Sequence, residues 1–264
     1  GSVNTTLGRN GMYEMHGGKA KNLAVFIQDE YKFNKAWTMY LGARLDHFTK
    51  ADGHSEYYDK NTGAQTRALK YEDVSYNQLS PKVSLGYKAD EHTDYYISYG
   101  RSFNPPPLYQ IYRDGGGEMG DVVANPNLNP ETSNTFEIGM KKKLSKKTDL
   151  GIALYQVQTN DKIVYTSHYK PGTTDVAFKR YDNYGLEKRK GLELELNHRF
   201  DDKFSSYLNY AWQNGRVERD KVTGTNLKDV SSSDYGIPKH LLHAGIKYKN
   251  KKFKAALEAQ YVSA

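Results

Sequence analysis

Two superimposed rhythms restrict what this chain can become. Apolar and polar side chains alternate along about ten segments, and the connections between segments alternate short and long. Residues 22–33 place Val25, Ile27, Tyr31 and Phe33 on one face, with Asp29 as a mismatch, and Gln28, Glu30 and Lys32 on the other. Residues 37–46 oppose Trp37, Met39, Leu41 and Leu45 to Thr38, Gly42, Arg44 and Asp46. Similar segments follow near residues 77–89, 94–102, 136–144 and 150–157. The clearest opposes Leu192, Leu194 and Leu196 to Glu193, Glu195 and Asn197. Two more precede the end, carrying Leu208, Tyr210 and Trp212, then Leu242, Ala244 and Ile246; the chain stops within another, with Leu257 and Tyr261. A period of two is a strand with unlike faces. Short turns fall at Asn34-Lys35-Ala36, Asp90-Glu91-His92-Thr93, Leu144-Ser145-Lys146-Lys147, Asp201-Asp202-Lys203 and Asn250-Lys251-Lys252. Long polar segments fall at residues 50–76, 103–130, 167–180 and 214–236, whereas residues 1–21 read as a loop or strand end. Trimmed turns at one end and elaborated loops at the other predict an all-β, antiparallel up-and-down transmembrane β-barrel, with short periplasmic turns and long extracellular loops.

Composition limits the alternatives. Mean hydropathy is −0.84, and no apolar run approaches the roughly 18 residues of a membrane helix. A barrel escapes that test, because only every second residue meets lipid. The 23 tyrosines suit strands and membrane–water interfaces. The chain has no cysteine, which excludes disulfides and thiolate metal sites. Its +7 charge is scattered along the sequence, so no nucleic-acid partner is expected. The start at Gly1-Ser2, without methionine, reads as trimmed or engineered.

Inward polar residues such as Glu30, Arg44, Glu193, Glu195 and Arg199 read as a wetted lumen wall, not as catalytic pairs. Gly115-Gly116-Gly117-Glu118-Met119-Gly120 matches a dinucleotide fingerprint by letters only, since no strand–helix context frames it; it reads as a flexible loop tip. The eight histidines show no metal-ligand spacing, although His168, beside Tyr165 and Tyr169, could ligate a haem iron. The long loops are more informative. Tyr109, Tyr112 and Arg113 stand in one, and Tyr165, Lys170, Lys179, Arg180 and Tyr181 border another. Aromatic faces with cations suit a flat anionic ligand. Tyr109, Tyr112, Arg113, Tyr165, His168, Lys170 and Arg180 are therefore the candidate ligand-binding residues, with no metal site and no catalytic residue.

Asn125-Pro126-Asn127-Leu128-Asn129-Pro130-Glu131-Thr132-Ser133, running into Phe136-Glu137-Ile138-Gly139, is a proline-stiffened loop re-entering a strand. It resembles a loop-to-strand signature of the TonB-dependent outer-membrane receptors. Val25-Phe26-Ile27-Gln28-Asp29-Glu30-Tyr31 leading to Leu41-Gly42-Ala43-Arg44-Leu45-Asp46 is similar to another block of that family. So are Tyr181-Asp182-Asn183 before Gly191-Leu192-Glu193-Leu194-Glu195, then Ile237-Pro238-Lys239-His240, and Tyr261-Val262-Ser263. The order and spacing of these blocks cover nearly the whole chain.

The resemblance implies a bacterial outer-membrane, multi-pass barrel of about 22 strands with a plugged lumen. It implies no enzyme, but uptake of a scarce cargo driven by the inner-membrane TonB complex. Residues 1–264 are then expected to be part of the barrel, with the plug and the final strands outside the chain. The haem receptors of the family carry a histidine between a Phe-Arg-Ala-Pro block and Asn-Pro-Asn-Leu. Here Phe103-Asn104-Pro105-Pro106 is only loosely similar, and no histidine separates Phe103 from Asn125. The expected cargo is therefore a ferric siderophore, with haem or cobalamin as alternatives. No resident cofactor is expected, since any iron would travel with the cargo. The expected partners are the TonB complex, the chelate and outer-membrane lipid. A passive porin, a surface adhesion barrel or a soluble carbohydrate-binding β-protein are the rival readings.

Overall fold

The computed structural model describes residues 4–7, 12–59, 61–117, 120–219, 230–231 and 238–263. Fifteen strands and one short helix occupy them. They are β1 (Asn4–Leu7), β2 (Met12–Lys32), β3 (Trp37–Asp59), β4 (Gln65–Lys70), β5 (Val74–Lys88), β6 (Thr93–Asn104), α1 (Leu108–Tyr112), β7 (Gly115–Gly117), β8 (Gly120–Val122), β9 (Glu131–Ser145), β10 (Thr148–Tyr169), β11 (Val176–Arg199), β12 (Phe204–Arg219), β13 (Val230–Ser231), β14 (His240–Lys249) and β15 (Lys254–Val262). The main strands pair antiparallel in the order β1-β2-β3-β5-β6-β9-β10-β11-β12-β14-β15. This is the up-and-down sheet that the alternation predicts.

One device closes all five short turns. A side-chain oxygen at the start of each turn accepts a hydrogen bond from a backbone N–H two residues on, and at three turns from the next N–H as well. Asn34, Asp90, Ser145, Asp201 and Asn250 do this, at 2.7–3.1 Å. Short polar side chains of this kind reproduce a backbone turn and so set where each strand reverses. The outward face between the turns and the loops is apolar and uncovered: Ile27 and Leu257 keep 74% and 77% of their surface open. So continuous an apolar face is costly in water and suits lipid.

Two of the long polar segments, 50–76 and 167–180, are largely strand, which departs from the sequence reading. β3 runs to Asp59 with β4 beside it, so most of residues 50–76 are sheet. β10 and β11 reduce the loop expected at 167–180 to the turn at residues 170–175. Residues 12–21 begin β2, and the segment expected from residue 214 continues β12 before most of it leaves the described residues. About ten residues cross a bilayer, so β11, with 24, extends far beyond it. The alternation fades there for two reasons. Both faces turn polar, and bulges break the parity. Asp52 (φ 54°) and Asp161 (φ 53°) sit at the register shifts of β3 and β10. On β3 the buried positions pass from Asp46, Phe48 and Lys50 to Gly53, Ser55 and Tyr57. A bulge does this by inserting one unpaired residue.

The glycine run is not a free loop tip either. β7 pairs with β8, and β8 meets β11 in parallel at Val122 and Lys179. Residues 118–119 lie outside the described residues.

Candidate ligand-binding site

The connection between β6 and β9, residues 105–130, folds back onto β2, β3 and β11 as one docked unit. Its apolar heart is Ile111, Tyr112 and Leu128, packed against Tyr71, Leu108, Ile163 and Tyr181. The Tyr112 ring stacks on Tyr71 at 5.4 Å and lies against the backbones of Gly18 and Gly53.

Three polar anchors hold this loop. The first is Lys50, buried on β3, whose Nζ donates to the carbonyls of Pro126 and Leu128, both at 2.9 Å. The second is Asp114, which accepts from the Tyr57 hydroxyl and from Ala124 N (3.1 Å), with Arg67 at 3.5 Å. Burial and this carboxylate both raise the Tyr57 pKa, so its hydroxyl keeps its proton. The third is Asn125, whose Nδ2 donates to the Tyr181 carbonyl (2.8 Å) and to Asp182 Oδ1 (3.2 Å). Next to it Asn129 and Asn183 exchange a backbone N–H bond (2.8 Å) and a side-chain bond (3.0 Å). Asn125–Pro130 and Tyr181–Asn183, distant in sequence, thus clasp each other.

Asp182 is the hub of a second network. It accepts from Arg180 Nε at 2.7 Å and lies 2.8 Å from His168 Nε2. The His168 ring stacks on Phe178 at 4.5 Å. Beneath the loop, His16 Nδ1 lies 3.1 Å from Ser55 Oγ and Glu14 lies 3.7 Å from His16 Nε2, an order that looks catalytic. Ser55 is fully buried, however, and its hydroxyl donates to the Tyr112 carbonyl (3.1 Å). Burial lowers the His16 pKa and keeps the ring neutral. These groups support the loop and offer no access to a substrate.

The candidate residues therefore divide. Tyr109, on α1, and Tyr165, on β10, are exposed and meet over Tyr181, at ring separations of 5.9 and 4.9 Å. The exposed Arg113 at the end of α1 also acts on the Tyr181 hydroxyl, opposing the rise in pKa that burial causes. This open cluster offers aromatic faces and a cation. His168 and Arg180 are instead committed to Asp182, and Lys170 lies in the β10–β11 turn, where its N–H bonds Asp175 O at 2.9 Å. Tyr112 is 1% exposed and acts as a packing wedge. The sequence reading gave no role to Lys50, Asp114 or Asp182. No spacing marks them, because their partners come from other strands. Among the described residues no cluster of metal-ligating side chains occurs.

Lys50 gives a pH prediction. Burial pulls its pKa from 10.5 down to about 8. A released loop would return it toward the ordinary value, so the open state binds more protons between those limits. Docking is therefore weakest below pH 8 and strengthens as pH rises toward 10.5, by at most about 1.4 kcal/mol per pH unit. Hydrogen exchange of residues 123–129, compared with Lys50→Met at pH 7 and 9.5, should show protection growing with pH only in the parent. Parallel behaviour of the two proteins would contradict this.

An antiparallel sheet with a lipid-facing apolar belt, trimmed turns at one end and a docked loop at the other defines the wall of an outer-membrane-type β-barrel. The chain belongs to the TonB-dependent receptor-like β-barrel family, whose model matches residues 1–264. This is a family of receptors and transporters of the outer membrane. The heme/hemopexin utilization protein C of Haemophilus influenzae is 25% identical over 200 residues, covering 69% of this chain and 27% of that protein. The ferrioxamine receptor of Yersinia enterocolitica is 24% identical over 206 residues, covering 76% and 24%. The hemophore receptor HasR of Serratia marcescens, solved with its hemophore HasA and heme, superposes with a TM-score of 0.72 at 17% identity, over 96% of this chain and 47% of that one. The chain spans about a quarter of the length of these two curated relatives.

Proposed function

We propose that this chain supplies the wall and part of the extracellular mouth of a multi-pass outer-membrane receptor that imports a ferric siderophore. The inner-membrane TonB complex drives the uptake, and the iron travels with the cargo. The open cluster of Tyr109, Tyr165 and Tyr181 beside Arg113 carries this reading. Open aromatic rings and a guanidinium suit a flat, anionic chelate, and a siderophore receptor, the ferrioxamine receptor, stands among the relatives. Haem is the second reading, favoured by the haem-associated relatives. Against it stands His168, which lies on the opposite face of the β10–β11 hairpin from Tyr165 and Tyr181 and whose Nε2 is already engaged by Asp182.

The test replaces Tyr109 and Arg113 together by alanine in the full receptor and measures affinity for a ferric-siderophore panel, with haemin and cobalamin alongside. Tyr112→Ala is unsuitable, because it would remove a buried wedge and disturb the loop. The double variant should weaken binding of one ferric siderophore roughly tenfold or more, about 1.4 kcal/mol. Tight binding of haemin alone would overturn the siderophore reading. Ion conductance without saturable binding would favour a porin.

A further inference from the structure

We propose that the short-turn ends of β9 to β15 form a docking surface for the anionic phospholipid head groups of the leaflet beside them. The positive charge is scattered in the sequence, but the fold gathers it. The turns β9–β10, β11–β12 and β14–β15 are neighbours in the sheet. Residues 141–149, 199–203 and 247–254 carry twelve lysines and arginines against three aspartates. Lys141, Lys143, Arg199, Lys247, Lys249 and Lys254 alternate onto the inward face, which leaves Lys142, Lys146, Lys147, Lys203, Lys251 and Lys252 at the turns and on the outward face. The surplus of nine exceeds the +7 of the whole chain, so the remainder is slightly acidic.

This charge is not neutralised internally. Among the described residues none of the twelve has a carboxylate within 4 Å. Asp201 is occupied by its own turn, accepting from Lys203 N and Phe204 N at 2.7 and 2.8 Å. The β5–β6 turn is unlike the arc, with Lys88 against Asp90, Glu91 and Asp94. The basic surface is thus densest in this arc and interrupted at the β5–β6 turn; the β2–β3 turn beyond it carries only Lys35 and Lys32, the latter paired with Glu30 at 3.1 Å.

Aromatic rings mark the membrane boundary beside it. Phe204 and Tyr248 lie 4.7 Å apart, Tyr248 and Phe253 6.1 Å, and Phe200 and Phe253 are exposed. Such rings settle at the head-group level. Lys142 alternates onto the outward face with Ile138 and Met140, and Lys251 and Lys252 occupy the tip next to Phe253. Ammonium groups just past an aromatic belt meet lipid phosphates, and clustered lysines concentrate anionic lipid. Charge complementarity and continuity with the lipid-facing belt therefore select a lipid surface over a soluble partner.

The proposal rests on the membrane reading and not on the cargo. The full receptor is placed in phosphatidylcholine bilayers containing spin-labelled phosphatidylglycerol or, separately, spin-labelled phosphatidylcholine. The fraction of each probe immobilised at the protein is then measured. Phosphatidylglycerol should be enriched about threefold over phosphatidylcholine at low salt and lose the preference near 0.5 M NaCl, where charges are screened within a few ångströms. Replacing Lys142, Lys146, Lys251 and Lys252 together by glutamate should abolish the preference, and arginine at the same positions should keep it. Heat-modifiable migration confirms that each variant is folded, and the salt series on the unaltered receptor needs no variant. Equal enrichment of the two probes, or a preference that survives high salt, overturns the proposal. If neither probe is immobilised, the membrane reading itself fails.

Discussion

Replacing Asp182 by alanine should release the upper β10–β11 hairpin from the loop between β6 and β9 while leaving the lower barrel wall folded. The Asp182 side chain is 2% exposed and meets Arg180, His168 and Asn125. Alanine leaves the Arg180 guanidinium without the carboxylate that compensates its partial burial, leaves His168 Nε2 without its partner, and leaves Asn125 Nδ2 with the Tyr181 carbonyl alone. Breaking a buried pair by removing one member costs about 3–5 kcal/mol. The half-exposed Arg180 can recover some water, so the lower figure is the better expectation. At about 3 kcal/mol, hydrogen-exchange protection of residues 164–168 and 123–129 should fall by about a hundredfold. Asp182→Asn keeps one acceptor oxygen and should cost less. Unchanged protection in the alanine variant would show that the clasp holds without its hub. On the proposed function, ferric-siderophore binding should weaken as well, because Tyr109 and Tyr165 sit on the two elements that this clasp joins.

The membrane wall was legible in the sequence because lipid imposes a simple rule there. Every second residue must be apolar, and the runs around Leu41, Leu194 and Ile246 obey it. The turns were legible because Asn34, Asp90, Asp201 and Asn250 are residues whose side chains build turns. Above the membrane both signals weaken. Water accepts polar residues on either face, and the bulges at Asp52 and Asp161 shift the buried set from even to odd positions or back. Long strands then look like loops. The five residues of α1 are too few for a helical period. The clasp was half legible. Asn125–Pro130 and Tyr181–Asn183 stood out as blocks of a resemblance, but nothing along the chain said that one binds the other. The candidate ligand residues were chosen by type, and type does not distinguish Tyr109, which is open, from Tyr112, which is wedged.

That wedge leads to the second large effect, expected from Gly53→Val. A Cβ at residue 53 would lie 2.4 Å from Tyr112 Cε1, and one at Gly18 would lie 2.5 Å from Cε2. The ring occupies a slot between two bare backbone segments and cannot retreat toward either. Tyr71, stacked on it at 5.4 Å, limits a third direction. Valine at 53 must therefore expel the ring. A tyrosine buries about 150–250 Å², and at about 25 cal/mol per Å² its expulsion costs on the order of 4 kcal/mol. Lys50, Asp114 and Asn125 would each lose alignment as the loop shifts. Limited proteolysis should then cut within residues 103–130, at sites protected in the parent, while the folded barrel band persists on unheated gels. Tyr112→Ala alone should open the loop to a similar degree, and adding it to Gly53→Val should open it little further, because both changes remove the same ring from the slot. If the double variant is much more open than either single one, valine also acts through the β3 backbone, whose register shifts beside this residue. Resistance of Gly53→Val to cleavage would mean that Tyr112 does not hold the loop. The coupling also bears on binding: Tyr109 and Arg113 flank the wedge on α1, so a loop that loses Tyr112 can no longer present them beside Tyr181.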